Sequence, residues 1–404
     1  MLSRYLDVLR INRAWRFSAA GLVLRLPMSM IGISIILLIK ASYGNYSLAG
    51  LVSAVNVVAT ALAAPSLARL VDRRGQSRVM LPALAVCSTA TTGLLVASVL
   101  HAPPALVLVL AAIAGATWGS PGAMVRARWA SAVERPGDLQ TAYAFESSMD
   151  EVVYILGPVF STVLGTLLHP GVGVGLIVVF LLVGGIGFYS QRASEPAPAF
   201  RVPGEKRRSV LRIPAIVVMV LTYIGAGMMF GANDVAVVDF AAALGAPAMS
   251  GVLLAVFSFG SLMSGLLYGA RVWRSPLWRL FALGVLGMGV GTTTFLLAHS
   301  LWTMALAMTI AGVACAPTMT NVNTIIARVV DADSLTEGLT WVSTSLNIGL
   351  SIGSALAGPA VDASGSHGGY LVMVGAAWAM VALMLVGLPT LRRATESAHS
   401  PSAD

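Results

Sequence analysis

The feature that most constrains this chain is a succession of long apolar runs separated by short polar connections. Most of these runs contain about 20 residues, the length that an α-helix needs to cross the hydrocarbon core of a bilayer. The whole sequence is 57% hydrophobic and 10% charged, whereas soluble domains carry about a quarter charged residues. We therefore predict an all-α membrane protein, in which each helix satisfies its own backbone polar groups.

The apolar runs predict twelve transmembrane helices. The first run is too long for a signal peptide, and the mixed apolar and basic residues before it predict a short helix on the cytoplasmic surface. The predicted spans are 17–41, 46–70, 78–100, 104–128, 139–168, 171–190, 214–241, 248–270, 277–298, 301–328, 335–361 and 369–391.

The distribution of positive charge predicts the orientation of these helices. Of the 25 Lys and Arg residues, all but Arg25 and Lys40 lie at the termini or in alternate connections. By the positive-inside rule, both termini and the long connection after the sixth span are cytoplasmic. The net charge of +8 therefore reflects membrane topology and does not indicate nucleic-acid binding. The predicted location is the plasma membrane, which is the inner membrane in a Gram-negative cell.

An internal repeat predicts two six-helix bundles. Three pairs of segments recur in the same order at offsets near 200 residues. The pairs are AGLVSAV with SGVLLAV (49–55 and 250–256), IAG with IAG (113–115 and 310–312), and matching Leu, Ser and Gly positions in the fifth and eleventh spans. We predict an N-terminal bundle at 1–190, a cytoplasmic linker at 191–213, a C-terminal bundle at 214–393 and a disordered tail at 394–404.

The connection between the second and third spans carries a family motif. Its sequence, ARLVDRRGQSR at 68–78, resembles the loop signature Gly-x-x-x-Asp-Arg-x-Gly-Arg-Arg of the major facilitator superfamily. Asp72, Arg73 and Gly75 match, while Gln76 and Ser77 replace the two basic residues. The resemblance implies that this Asp latches the two halves through the start of the eleventh helix, near residues 335–338. The alternative is a solvated turn that only sets topology.

A second motif lies in the fifth span, YILGPVFSTVLG at 154–165. It resembles part of the Gly-Pro motif of proton-coupled exporters and points to a bacterial efflux permease. Gly157 and Pro158 match, but Phe160, Ser161 and Thr162 depart from the Gly-rich continuation, and no Arg stands early in the fourth span. A kink with close helix packing is the alternative reading of Gly157 and Pro158.

Apart from Lys40 at the end of span one, four charged residues fall inside predicted spans one and five. A charge in hydrocarbon costs at least a few kcal/mol, so each is a candidate for substrate binding or coupling. Arg25 lies in a helix that lines the cavity in the resembling family, and we expect Asp150 or Glu146 to be its partner. Glu151 is a candidate proton carrier. The alternatives are a purely structural pair and a charge-neutral cluster that closes the cytoplasmic side.

Polar residues of the other half complete the candidate site: Asn233 and Asp234 in the seventh span, Asn321 in the tenth and Asn347 in the eleventh. Such groups also hold membrane helices together, at about 0.6 kcal/mol each. The sequence has no phosphate loop, nucleophile elbow or zinc pattern. We therefore predict no catalytic residue, metal or cofactor.

Together these features predict a secondary active transporter of the major facilitator superfamily. It would move a small solute by alternating access, and the motif in the fifth span favours proton-coupled export. The expected partners are a small-molecule substrate, protons and membrane lipid, without nucleic acid, and the protein is expected to be a monomer. Two alternatives remain: a facilitator or importer of a sugar or organic acid, and a non-transporting scaffold or receptor.

Overall fold

The computed structural model describes residues 2–44, 46–198, 209–246 and 249–397. These residues form helices joined by short connections, and they include no β-strand. The α-helices are α1 (Leu2–Arg10), α2 (Trp15–Tyr43), α3 (Tyr46–Arg74), α4 (Gln76–Val99), α5 (Pro104–Trp118), α6 (Pro121–Ala132), α7 (Pro136–Leu167), α8 (Val172–Tyr189), α9 (Pro214–Ala243), α10 (Met249–Gly269), α11 (Leu277–Thr293), α12 (Leu301–Val329) and α13 (Leu335–Ser397).

The described residues contain ten helical segments that are long and apolar enough to cross a membrane. One of these segments joins α5 and α6, and another extends over 65 residues, Ala332–Glu396. Helix α7 is not among the ten. It is 32 residues long and contains four acidic residues, and some of its side chains lie outside those that the structure describes. The protein is thus a multi-pass helical membrane protein.

The predicted fourth span, 104–128, is wrong in one respect, because two helices replace the single one. Gly119 separates α5 from α6 with φ 74 and ψ −150, a backbone conformation that essentially only glycine adopts. Pro121 then begins α6, where its missing N–H and fixed φ suit the first helical position. Helix α6 continues to Ala132, four residues beyond the predicted end.

The predicted eleventh and twelfth spans both lie within the 63 residues of α13. Ser364 (φ −141) and Gly365 (φ 64) are non-helical, and they divide α13 in the predicted outer turn. The helix continues to Ser397, so residues 394–397 of the predicted disordered tail are helical. An ion pair between Arg392 and Glu396 at 3.1 Å supports this last turn. Residues 398–404 lie outside the described part of the chain.

The chain forms two compact units that differ from the predicted halves. Unit one contains Met1–Val8, Val133–Glu151 and Gly204–Asp404, and unit two contains Leu9–Ala132 and Val152–Pro203. The first half of α7 belongs to unit one because it hydrogen-bonds α10. For example, Thr141 Oγ1 donates to the carbonyl of Gly269 at 2.8 Å. Of the predicted linker, residues 199–208 lie outside the described residues.

Each unit repeats the same helix packing, which accounts for the sequence repeat. In unit two, α2 packs on α8, α3 on α5, and α4 on both α5 and α8. In unit one, α9 packs on α13, α10 on α12, and α11 on both α12 and α13. The order of partners is therefore the same in the two units when each is followed along the chain.

The IAG pair occupies equivalent close contacts in the two units. A Cβ on Gly115 would lie 3.1 Å from the carbonyl carbon of Asn56, where α5 crosses α3. A Cβ on Gly312 would lie 3.2 Å from the carbonyl carbon of Phe257, where α12 crosses α10. Small residues allow membrane helices to approach at this distance. The repeated glycine is thus a packing residue in both units.

Helix α1 is not a free surface helix, because it packs into unit one. Tyr5 is buried, and its hydroxyl donates a 2.5 Å hydrogen bond to the carbonyl of Leu266 in α10. Arg4 donates to the carbonyl of Gly137 in α7 at 3.2 Å. After α1 the chain turns sharply at Asn12 and Arg13, which both have positive φ.

Candidate functional site

Glu151 lies at the centre of the polar contacts of unit one. It is partly buried in the middle of α7. Its Oε1 accepts a 2.7 Å hydrogen bond from Ser261 of α10, and the thiol of Cys315 in α12 lies 3.9 Å from the same oxygen. Ser261 is fully buried and accepts the backbone N–H of Ala316 at 3.1 Å. One carboxylate therefore connects α7, α10 and α12.

A second hydrogen-bonded chain runs parallel to this contact, closer to the start of α7. Gln140 donates to the hydroxyl of Tyr268 at 3.2 Å, and Tyr268 donates to Oδ1 of Asn321 at 2.7 Å. All three side chains are buried. The Nδ2 of Asn321 has no hydrogen-bond partner among the described residues. Asn321 is one of the polar site residues predicted in the C-terminal bundle. Its hydrogen-bonded chain therefore connects the same three helices that Glu151 connects.

Two arginines lie together inside unit two. Arg25 of α2 is 1% exposed and Arg126 of α6 is 8% exposed. Arg25 Nε donates to the carbonyl of Gly21 at 3.2 Å, and Arg126 Nη1 donates to the carbonyl of Gly122 at 3.2 Å. A Cβ on Gly122 would lie 3.1 Å from Arg126 Nη1 and 3.8 Å from Arg25 Cδ. Both side chains thus pass over this glycine.

The remaining predicted site residues differ in exposure. Glu146 is fully buried and Asn233 is 6% exposed, whereas Asp150 is partly buried and Asp234 and Asn347 are exposed. The Oδ1 of Asn233 has no hydrogen-bond partner among the described residues. Within unit one, the structure therefore brings two of the predicted site residues, Glu151 and Asn321, to the contacts among α7, α10 and α12.

The motif turn contains a buried contact that the sequence did not indicate. Gly75 has φ 92 and precedes α4, while Asp72 is partly buried and Arg73 is exposed. The carboxylate of Glu195, beyond α8, accepts the backbone N–H of Ser77 at 3.1 Å and its hydroxyl at 2.6 Å. Glu195 therefore caps the first turn of α4, where a negative charge also favours the helix dipole.

Arg128 extends this contact into the interior of unit two. It is fully buried, and its Nε donates to Oε1 of Gln76 at 2.7 Å. Its Nη1 donates to Ser194 Oγ at 2.8 Å, and its guanidinium lies 3.9 Å from the ring centroid of Phe188. The start of the linker is thus attached to α4 and α6. Gln76 occupies a position where the family motif has a basic residue. This difference from the motif is the sequence feature that could have indicated the contact.

Gly157 lies where α7 contacts α2 inside unit two. A Cβ on Gly157 would lie 2.8 Å from the Cβ of Ser29 and 3.2 Å from its carbonyl carbon. Ser29 Oγ donates to the carbonyl of Val153 at 2.8 Å. These distances are those of close helix packing, the simpler of the two readings of this motif. Pro158 lies in the same helix, and its side chain is outside those that the structure describes.

The described residues contain no group of three or more His, Cys, Asp or Glu side chains that could hold a metal ion. Cys87 and Cys315 are both free and buried. The polar side chains described above are carboxylates, guanidiniums, amides, hydroxyls and a thiol. Such groups bind solutes and protons.

The fold and these polar groups define a membrane transporter. The chain belongs to the major facilitator superfamily, because the family model "Major Facilitator Superfamily" matches residues 17–232 and 219–403. Members of this family are transporters and not enzymes. The sequence matches no curated protein at a significant level.

Solved structures of transporters share this fold at low sequence identity. A human organic anion transporter, MFSD10, has TM-score 0.70 and 14% identity, over 95% of this chain and 99% of that one. A bacterial homologue of the iron transporter ferroportin, in an outward-facing state, has TM-score 0.72 and 14% identity with the same coverage. An E. coli fucose:proton symporter has TM-score 0.71 and 11% identity, over 93% of this chain and 98% of that one.

Proposed function

We propose that this protein is a secondary active transporter that exports a small solute across the plasma membrane by alternating access, in exchange for protons. The family supplies the transporter class. We further propose that all twelve predicted spans cross the membrane, that both termini are cytoplasmic and that the protein acts as a monomer. Asp72 and Arg73 are proposed to form the conformational latch that the family motif implies.

The contact between Glu151 and Ser261 supports proton coupling. A carboxylate within a membrane helix is costly, so such a residue is a functional candidate by default. The hydroxyl of Ser261 can donate to the ionised carboxylate or accept from the protonated one. Glu151 can therefore keep a partner in both protonation states, as a proton carrier requires. The solved transporters of this fold differ in cargo, and one of them is a fucose:proton symporter, so proton coupling occurs in this fold.

Reconstitution in liposomes tests this proposal. The purified protein is inserted into liposomes that enclose the pH-sensitive dye pyranine, and the liposomes are challenged in turn with gradients of succinate, glucose and ethidium. We expect at least one gradient to change the internal pH, and Glu151→Gln to abolish the change. Glu134→Gln is the matched control, because Glu134 is exposed. Its proton flux should equal that of the unmodified protein.

The same assay separates the alternatives. Solute flux without a pH change would support a facilitator or importer of a sugar or organic acid and would reject proton coupling. Absence of flux for every solute would support a scaffold or receptor, provided that the protein melts at the same temperature after reconstitution as before it. Proton flux that persists in Glu151→Gln would reject Glu151 as the carrier and leave transport itself in place.

A further inference from the structure

Basic and aromatic side chains of unit one form a surface cluster where α10 ends and α11 begins. The connection between these helices and the C-terminal part of α13 supply its members. The basic–aromatic cluster consists of Arg271, Trp273, Arg274, Trp278, Arg279 and Arg392. Its four arginines are exposed and its two tryptophans are partly buried. Both α10 and α11 belong to segments that are long and apolar enough to cross a membrane, so their shared end lies at a membrane boundary.

Aromatic rings hold three of the four guanidiniums in place. The guanidinium carbons of Arg279 and Arg392 lie 5.0 Å and 5.7 Å from the centroid of the Trp278 ring. The guanidinium carbon of Arg271 lies 5.1 Å from the centroid of the Trp273 ring. Cation–π attraction acts at such distances, up to about 6 Å. The guanidiniums therefore have defined positions, which the orientation of membrane helices by positive charge does not require.

The two rings are themselves fixed to neighbouring helices. Trp273 stacks on Tyr268 of α10 with 4.8 Å between the ring centroids, and its Nε1 donates to the carbonyl of Tyr268 at 3.0 Å. Trp278 Nε1 donates to Oε1 of Glu396 in α13 at 3.3 Å. The cluster is thus a pre-formed surface, and a ligand that binds it loses less side-chain entropy than one that must order the side chains first.

Positive charge exceeds negative charge in the cluster. Glu396 is in contact with it through a 3.1 Å ion pair with Arg392. In the part of the chain that the structure describes, no carboxylate forms an ion pair with the other three arginines. The sequence accounts for this imbalance, because it contains no Asp or Glu between Asp239 and Asp331. The cluster therefore suits an anion from outside the chain.

Exposed apolar side chains continue from the cluster along both helices. They are Leu267 of α10, Val272 of the connection and Leu283 of α11. Leu283 lies four residues after Arg279 and therefore shares its face of α11. An anion that carries apolar chains would place its charge on the guanidiniums and its chains on this apolar surface.

We propose that the basic–aromatic cluster binds the phosphate headgroup of an anionic phospholipid, whose acyl chains lie against α10 and α11. This inference is independent of the proposed transport function. Guanidiniums bind phosphate oxygens through paired hydrogen bonds. Tryptophan rings are enriched at the level of the lipid headgroups, and clustered basic residues beside membrane helices attract anionic lipids. A soluble phosphate would use the guanidiniums but not the apolar surface beside them.

Native mass spectrometry of the purified full-length protein tests this proposal. Phosphatidylglycerol and phosphatidylcholine with the same acyl chains are titrated separately, and the dissociation constant of the first bound lipid is measured. We expect phosphatidylglycerol to bind about fivefold tighter or more, because one basic residue at an anionic lipid surface contributes about 1 kcal/mol. Glycerol 1-phosphate has the same headgroup without acyl chains, and it should not displace the lipid at equal concentration.

Glutamine variants locate the site. Arg271→Gln and Arg279→Gln should each weaken the binding of phosphatidylglycerol about fivefold and leave that of phosphatidylcholine unchanged. Arg135→Gln is the matched control. Arg135 is also an exposed arginine of unit one, and among the described residues it has neither a ring contact nor an ion pair. Its two dissociation constants should equal those of the unmodified protein.

Glu396→Gln should change the affinity in the opposite direction. It removes the carboxylate that accepts from Arg392 Nε at 3.1 Å, so this guanidinium becomes available to the headgroup. The affinity for phosphatidylglycerol should rise, by up to about fivefold. Poor folding would not produce such a gain.

Two lysine variants keep the test decisive if a Gln variant folds poorly. Arg271→Lys and Arg279→Lys retain the charge that orients the helices but lose the planar guanidinium, so they should fold and bind phosphatidylglycerol less tightly than the unmodified protein. Equal affinities of the unmodified protein for the two lipids would overturn the proposal. So would an unchanged phosphatidylglycerol affinity in all the variants of the cluster, or an equal loss in Arg135→Gln. Displacement of the lipid by an equal concentration of glycerol 1-phosphate would assign the cluster to a soluble phosphate instead.

Discussion

Ser261 donates a 2.7 Å hydrogen bond to Glu151 and accepts a 3.1 Å hydrogen bond from the backbone N–H of Ala316. The serine is fully buried, so a single hydroxyl connects α7, α10 and α12 within unit one. A Cβ on Gly265, one helical turn further along α10, would lie 2.8 Å from the Cβ of Ala316. The small residues of α10 therefore hold the three helices close enough for this bond to form.

Loss of the Ser261 hydroxyl should destabilise the protein. Ser261→Ala removes a hydrogen bond to a charged group and leaves the N–H of Ala316 without this acceptor. We expect a loss of about 1–3 kcal/mol in the free energy of unfolding, measured by denaturant titration in detergent. Ser264→Ala is the control, because among the described residues Ser264 Oγ bonds to the carbonyl of Ser261 in its own helix, at 2.9 Å.

A double variant tests whether Glu151 carries this effect. In the Glu151→Gln background, Ser261→Ala should cost less, because the hydroxyl no longer has a charged partner. Equal costs in the two backgrounds would show that the hydroxyl acts through Ala316 alone.

The Tyr5 hydroxyl should stabilise the attachment of α1. Tyr5→Phe removes the 2.5 Å bond to Leu266, and we expect a loss of about 1 kcal/mol. Burial raises the pKa of Tyr5 to about 12, although the charge of Arg4 opposes this shift. Because the ordinary pKa of Tyr is about 10, the contribution is present below pH 10 and lost as the pH rises through 12.

Unfolding measurements between pH 8 and pH 12 check this expectation. The difference between the unmodified protein and Tyr5→Phe should be constant up to about pH 10 and then shrink. Leu6→Ala, at a 44% exposed position of the same helix, should change stability by less than 0.5 kcal/mol or so. A difference that does not change with pH would show that folding does not raise the pKa of Tyr5.

The packing of α9 on α13 should tolerate no side chain at Gly227. A Cβ there would lie 2.8 Å from the backbone nitrogen of Leu350 and 2.9 Å from the Cα of Gly349. Because these are backbone atoms, the helices would have to move apart. We expect Gly227→Ala to cost about 1–3 kcal/mol. Gly251→Ala should cost nothing, since no atom of the described residues lies within 4 Å of that Cβ position. Melting temperatures in detergent measure both.

The apolar runs and their glycines show which parts of the fold could be predicted from the sequence. The thickness of the bilayer sets the length of each apolar run, so the spans could be predicted from the sequence. The recurrence of IAG could be read from the sequence, but the helix contact that each of its glycines makes is seen only in the structure. The break at Gly119 could not be predicted, because a glycine within an apolar run is compatible with a continuous helix, and only its φ of 74 breaks the span.

The candidate site was less predictable, because it depends on helix rotation. Glu151 and Arg25 stand out as charges in apolar runs, but the direction of each side chain does not follow from a nearly uniform apolar sequence. Arg126 appeared to be a topology-setting charge, and only its burial beside Gly122 joins it to Arg25. Glu195 lies 118 residues from Ser77, a separation at which one sequence contains no pairing signal.

The motif turn should be more sensitive to substitution than an ordinary glycine turn. Gly75 has φ 92 and ψ 154, and a Cβ there would contact the Glu195 carboxylate and lie 3.5 Å from a ring carbon of Pro198. Gly44 ends α2 with φ 68, and in the described part of the chain no atom lies within 4 Å of its Cβ position. Gly44→Ala thus measures backbone strain alone, at about 1 kcal/mol.

Gly75→Ala should cost about 1–3 kcal/mol from strain, with a further loss from displacing Glu195 from Ser77. In the Glu195→Ala background, Gly75→Ala should cost the strain alone, because no contact between Glu195 and Ser77 remains to be lost. Equal melting temperatures for Gly44→Ala and Gly75→Ala would show that Glu195 does not hold this turn.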